Sequence, residues 1–173
     1  MLTDHKQEGR LDLLAKELRH LLESYRSLPA KRSLPQEALE QELYRHVMVI
    51  DARIRDFQTI CFAIQADVCL MVLDGDHEGI QDLLIRLHPL KQLQSISIIS
   101  PGQASEIRIG QDRLSASTLP RYAASLRQLS SHLTVQGVLV LFGMRAGEEQ
   151  LEAELLVGLR QIMGCRIMTS AES

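Results

Sequence analysis

From Val47 onward the chain alternates between two kinds of apolar pattern. Short, nearly unbroken apolar runs occur at 47–50, 68–73, 96–99 and 138–142, the length and composition of strands buried on both faces. Between them the apolar positions take helical spacing: Phe57, Ile60 and Ile64; Ile80, Leu83, Leu84 and Leu87; then 122–133 and 151–162. A last strand is expected at 166–168. Strand and helix in regular alternation predict an α/β domain with a doubly wound, mostly parallel sheet flanked by helices. One stretch breaks the rule. In 106–114, Ile107 and Ile109 alternate with polar residues around Gly110-Gln111-Asp112, which predicts a small β-hairpin.

The first 46 residues follow a different period. Leu11, Leu14, Leu18, Leu21, Tyr25 and Leu28 recur at spacings of three and four, and so lie on one stripe of an amphipathic helix, with Asp12 and Lys16 placed for an i,i+4 ion pair. Pro29 ends that helix, and Ser33 and Pro35 before Gln36-Glu37 open a second one through Leu39 and Leu43. The expected organisation is an N-terminal helical appendage over 1–46 and the α/β domain over 47–173. The stripe is shorter than the three to four heptads of an independent coiled coil. It must therefore pack on the second helix, on the α/β body, or on a partner.

Composition narrows the classes of function. A formal charge of −3 offers no long-range attraction to phosphate backbones, and 3% aromatic residues with no Trp provide no base-stacking platform, so nucleic acid is not the expected partner. Cys61, Cys69 and Cys165 sit in apolar surroundings, are odd in number and lack C-x-x-C spacing, which predicts buried, reduced thiols rather than disulfides or a zinc site. The N-terminus opens polar, without the apolar core of a signal peptide, and no stretch reaches the ~20 apolar residues of a membrane span. A cytoplasmic protein is expected, with no cofactor and no metal.

In a doubly wound sheet, ligands bind beyond the carboxyl ends of the strands. Those ends carry Asp51, Asp74-Gly75-Asp76, Ser100-Pro101-Gly102 and Gly143-Met144-Arg145. Their order, with Leu73-Asp74, Gly79-Ile80-Gln81, Ile107 to Gly110, Ala146-Gly147 and Gly164-Cys165 to Ser170, resembles the caspase-like domain of unknown function found near the N-termini of large bacterial repeat-rich surface proteins. The resemblance covers about 125 of 173 residues and implies a fold related to the clan of caspases and gingipains. In that family one strand ends in Ser-His-Gly and a later one runs into Tyr-Gly-Cys. Here the corresponding residues are Ser100-Pro101-Gly102 and Phe142-Gly143-Met144.

Those departures fall on the chemistry. A Cys–His hydrolase needs a thiolate to attack the acyl carbon and an imidazole to shuttle the proton. Pro101 has no ionisable group, and the Met144 thioether cannot become a thiolate. Ser100 lies beside the vacated histidine position but has no G-x-S-x-G elbow around it. Asp74-Gly75-Asp76-His77-Glu78-Gly79 begins like a calcium loop, yet its twelfth position is Ile85 where a bidentate Glu is required. A turn with Asp76 capping the next helix is the expected alternative. Gly102 alone is thin support for an anion nest, and His88 and His132 are expected near helix C-termini, with no ligand role.

The resulting expectation is a catalytically inactive, caspase-like pseudo-hydrolase acting as a protein-interaction or assembly module, through self-association or a protein partner on the Leu11, Leu14, Leu18, Leu21, Tyr25 stripe. The competing expectation is a hydrolase or small-ligand binder using Ser100, Arg145 and Asp51, with Gly102 and Gly143 lining the same cleft.

Overall fold

Six consecutive buried residues, His46–Asp51, form β1, and only a strand covered on both faces has use for so continuous a run. In the computed structural model the described residues are 44–55, 57–62, 68–143 and 151–169. The stripe residues Leu11, Leu14, Leu18, Leu21 and Tyr25 lie outside them, as do Met144 and Arg145. After β1 come α1 (Phe57–Phe62), β2 (Val68–Leu73), α2 (Ile80–Leu87), β3 (Leu93–Ser100), β4 (Ile107–Ile109), β5 (Asp112–Leu114), α3 (Leu119–Ser130), β6 (Leu133–Gly143), α4 (Ala153–Met163) and β7 (Arg166–Thr169).

Five strands make one parallel sheet in the order β2-β1-β3-β6-β7, while β4 and β5 pair antiparallel as the predicted hairpin. Neighbouring positions alternate between two apolar layers. Val47, Val49, Met71, Ile96, Ile98, Leu139 and Leu141 join the buried residues of α2, α3 and α4 on one face. Met48, Ile50, Val68, Ile99, Val138, Val140 and Phe142 form the other layer, with Ile54, Phe57 and Cys61 from α1 and the turn before it. Each such aliphatic side chain contributes on the order of 1.5–3 kcal/mol through burial.

The elements run longer than the apolar runs that announce them. β3 begins at Leu93 and β6 at Leu133, because backbone pairing between Leu93 and Leu133 extends the sheet beyond its apolar centre. A bulge then absorbs the extra residues before Val138 pairs with Ser95. The helix expected to reach Leu133 stops at Ser130 instead.

The edge strand β2 reads Val-Cys-Leu-Met-Val-Leu, without the charge or proline that usually protects an edge. Protection comes from α2. The Leu73 carbonyl points to β1, accepting from the Ala52 amide at 2.9 Å, so the adjacent Val72 carbonyl points outward. Arg86 Nη1 donates to that carbonyl at 2.7 Å, and the Asp74 amide donates to Glu78 Oε2 at 2.7 Å. Arg86 and Glu78 are themselves paired. Two side chains thus stand where the backbone of another strand would be.

Candidate functional site

The crossover from β1 to β2 runs one way along the sheet and that from β3 to β6 the other, so their loops diverge between β1 and β3. This switch point is where an open α/β sheet leaves room for a ligand. Asp51 ends β1 and Ser100 ends β3, with Ile50 and Ile99 in register just before them. Gly143 pairs with Ser100 on the next strand. The structure thus brings three of the predicted residues, Asp51, Ser100 and Gly143, to one edge.

Asp51 is already committed. It is 2% exposed, and the Arg53 backbone N–H and side-chain Nε both donate to its Oδ1 at 2.9 Å, while Nη2 donates to Oδ2 at 2.6 Å. Such a bidentate fork is the strongest pairing a carboxylate finds in a protein. The same Nη2 donates to the Gly110 carbonyl at 2.8 Å, and Nη1 lies 3.8 Å from Asp76 Oδ1. The hydrogen bond to Asp51 is the largest influence raising the Arg53 pKa, opposed by desolvation, so the guanidinium stays charged. Gly75 makes room for the pair: a Cβ there would collide with Arg53 Nε and lie 2.6 Å from Asp51 Oδ1.

The hairpin locks this corner from above. Gly110 turns at φ +60, with no room for a side chain against the Glu78 carbonyl. The Gln111 amide donates to that carbonyl at 2.8 Å. Asp112 Oδ2 accepts the Ile80 amide at 2.8 Å, while Tyr122 Oη donates to Asp112 Oδ1 at 3.2 Å. Burial, reinforced by the Asp112 charge, raises the Tyr122 pKa and keeps its hydroxyl protonated as a donor.

This corrects the expected cap. The residue before α2 is Gly79, whose amide donates to Asp82 Oδ2, and the carboxylate at the helix start comes from Asp112, 32 residues away. Asp76 is exposed and caps nothing; its amide donates to Asp74 Oδ1 at 3.0 Å. Asp74 Oδ2 lies 2.9 Å from His77 Nδ1. The Asp76 amide, and next His77, hold the Asp74 carboxyl below its ordinary pKa, and the bond to Asp74 raises that of His77. Among the described residues, no group of three His, Cys, Asp or Glu side chains is arranged to hold a metal ion.

Ser100 is buried at the end of β3, and Pro101 and Gly102 follow half-buried. The chain then folds into a Gln103–Glu106 bridge, and the Ala104 carbonyl accepts the Glu152 amide at 2.8 Å, joining this loop to the start of α4. Gly102 has no positive φ, so the left-handed step of an anion nest is missing there; among the described residues only Gln92, Gly110 and Gly164 have one.

All three cysteines are free and half-buried rather than fully buried as expected. Desolvation pushes each thiol pKa up, away from thiolate chemistry. His132 also departs from expectation. It follows α3 but is buried, with Nδ1 2.7 Å from the Leu90 carbonyl, and burial lowers its pKa, so it is a neutral donor and not a cation at a helix end. His46, expected in the appendage, opens β1 and lies 2.8 Å from Ser95 Oγ on β3. No described helix is long and apolar enough to cross a membrane.

The sequence placed Asp51 and Gly75 at strand ends and Gly110 and Asp112 in a hairpin, but did not join them in one corner, and it gave no part to Arg53 or Tyr122. Arg53 two residues after a strand-terminal Asp is a local signal that was there to be weighed. Asp112 and Tyr122 act across the fold and leave no such trace.

A strand order of β2-β1-β3-β6-β7 with a hairpin between β3 and α3 describes the structural unit, and a family profile covers the same stretch. The profile described as Domain of unknown function (DUF4347) matches residues 47–173. The chain belongs to this family. Save for His46 at the start of β1, the DUF4347 match takes in every strand of the sheet and the whole Asp51–Arg53 corner, and leaves the leucine-striped segment outside. No curated protein and no solved structure matches the chain.

Proposed function

We propose that this DUF4347 domain is a catalytically inactive relative of caspase-type hydrolases that works as a protein-interaction or assembly module. The observation that carries the reading is the commitment of the sheet's carboxyl edge: Asp51 is spent on Arg53, and Pro101 follows β3 where the resembled family has its histidine. An acyl-transfer site needs a nucleophile and a base within hydrogen-bond reach. The described carboxyl edge offers a serine beside a proline; the thiols lie elsewhere, Cys69 and Cys165 at the amino ends of β2 and β7 and Cys61 on α1, and burial raises the pKa of each. A domain that keeps a rigid, hydrogen-bonded edge without such a pair is suited to presenting a surface. The leucine stripe from Leu11 to Tyr25 is the first segment to examine as the contact with a second copy or another protein.

The test is chemical. The full chain is treated with thiol-directed acyloxymethyl ketones and serine-directed fluorophosphonates under native conditions, then mapped by mass spectrometry. No stoichiometric adduct is the expected result. An adduct on Ser100 or on a cysteine, abolished both by substitution of that residue and by prior unfolding, overturns the reading, and an adduct on Ser100 favours a hydrolase at the same edge.

A further inference from the structure

The sheet ends in two strands of unequal character, β2 and β7. β7 has four residues and opens on the exposed Arg166, and its Ile167 carbonyl accepts at 3.3 Å from Nη2 of Arg160 in the last turn of α4. Short length and charge are the usual guards of an edge. β2 has neither. Its six residues are neutral and apolar, and among the described residues β1 is the one strand that pairs with it.

Backbone groups alternate in direction along a strand, so those of Val68 and Leu70 point away from β1 together with those of Val72. Among the described residues no side chain bonds to the backbone of Val68 or Leu70, whereas the Val72 carbonyl is taken by Arg86 Nη1 at 2.7 Å. A short foreign strand can therefore use the amino half of the row without meeting Arg86. A second copy of β2 cannot. Pairing of one edge with itself runs antiparallel about a two-fold axis, and the longest ladder centres on Leu70, with Val68 of each copy opposite Val72 of the other. The axis repeats the Val72 carbonyl, so one arginine per chain blocks both ends of that ladder. Glu78 holds the arginine there: Oε1 pairs with Arg86 while Oε2 accepts the Asp74 amide at 2.7 Å.

We propose that the β2 edge is a self-association surface held closed by Arg86, and that its occupant, once Arg86 is withdrawn, is β2 of a second copy of this chain. With no charged side chain on β2, the strand meets its own image without like charges in opposition. The two-fold axis stands perpendicular to the sheet, which keeps the α2–α4 layers of both copies on one side and their apolar faces continuous. Arg86 thus decides between two states of association at this edge, and does so from a partly solvated position, 37% exposed, that the core does not depend on.

The test uses the full chain carrying Arg86→Ala with Glu78→Gln, which removes one charge of each sign and keeps an acceptor for the Asp74 amide. Mass in solution is measured by light scattering, and backbone hydrogen exchange is followed on the same samples. The expected result is a mass about twice that of the unaltered chain, with the Leu70 and Val72 amides exchanging about tenfold more slowly, because the second copy now bonds them. Arg86→Lys, which still brings a donor to the Val72 carbonyl, is expected to keep the mass of the unaltered chain. Arg86→Gln alone is read in the same way as the paired change and guards against a loss of fold in it. An unchanged mass in both overturns the proposal. So does a raised mass with Leu70 and Val72 exchanging as before, since the contact then lies elsewhere. As a surface for assembly the β2 edge rests on the function proposed above, yet the two fail separately. Labelling of Ser100 would leave these masses as they are, and unchanged masses would leave the Leu11 to Tyr25 stripe standing as the contact.

Discussion

The two ends of the parallel sheet both bury polar groups, but they solve the problem differently. At the carboxyl end a full charge pair, Asp51 and Arg53, is held by four hydrogen bonds counting the one to the Gly110 carbonyl. At the amino end the buried groups are imidazoles and a hydroxyl: His46 meets Ser95, and His132 meets the Leu90 carbonyl. Charges taken out of water are costly unless fully paired, whereas a neutral group such as the His132 imidazole needs only a partner. The carboxyl end is thus the more demanding to build and the more fragile to single changes. In doubly wound proteins that end usually keeps its polar groups for a ligand; here Asp51 is used to fasten loops.

The sharpest way to break this contrast is Asp51→Ala. It strands a guanidinium that is 27% exposed against the hairpin, and is expected to cost on the order of 3 kcal/mol in urea unfolding. A loss below about 1 kcal/mol would show that Arg53 simply turns to water. Gly75→Ala comes next, at about 1–3 kcal/mol, since the new Cβ must displace the ion pair. Combining it with Asp51→Ala should give much less than the sum, because the second change removes part of what the first collides with.

The amino end should respond more gently. Ser95→Ala removes one buried bond to His46 and is expected to cost about 1 kcal/mol. His132 gives the smallest effect, visible as a slope. Its folded-state pKa is lowered by burial, and further by Lys91 and His88, against the opposing hydrogen bond to Leu90. Above pH ~7 it is neutral in both states; as pH falls through ~6.5 the unfolded chain takes up a proton that the folded chain resists, and stability is lost. Denaturant midpoints measured from pH 7.5 to 5.5 should fall more steeply in the wild type than in His132→Gln. The exposed His77, whose pKa is raised, contributes with the opposite sign, but equally in both proteins.

The fold was legible where burial dictates sequence. β1 and the centres of β3 and β6 lie between two apolar layers, so nearly every residue there is apolar, and the hairpin announced itself by strict alternation around Gly110. Strand ends were less visible, since Leu93 and Leu133 pair through backbone groups that any residue supplies. At the candidate site, Asp51 was recognisable because a charged residue closing an apolar strand is conspicuous. Its state was not, because that depends on whether Arg53 turns back. The cap of α2 was illegible for a stronger reason: it is supplied from β5, and local rules point instead to Asp76, the nearest aspartate before the helix.

The Arg86–Glu78 pair along β2 has a consequence for handling the protein. Both side chains are partly solvated, at 37% and 25%, so the pair adds little to the free energy of folding. What it withholds is a stretch of unpaired backbone beside six apolar residues, the kind of template on which chains seed fibrils. Loss of Arg86 would hardly register in a melting curve, yet would be expected to show itself in concentrated solution left standing, as slow precipitation of correctly folded molecules.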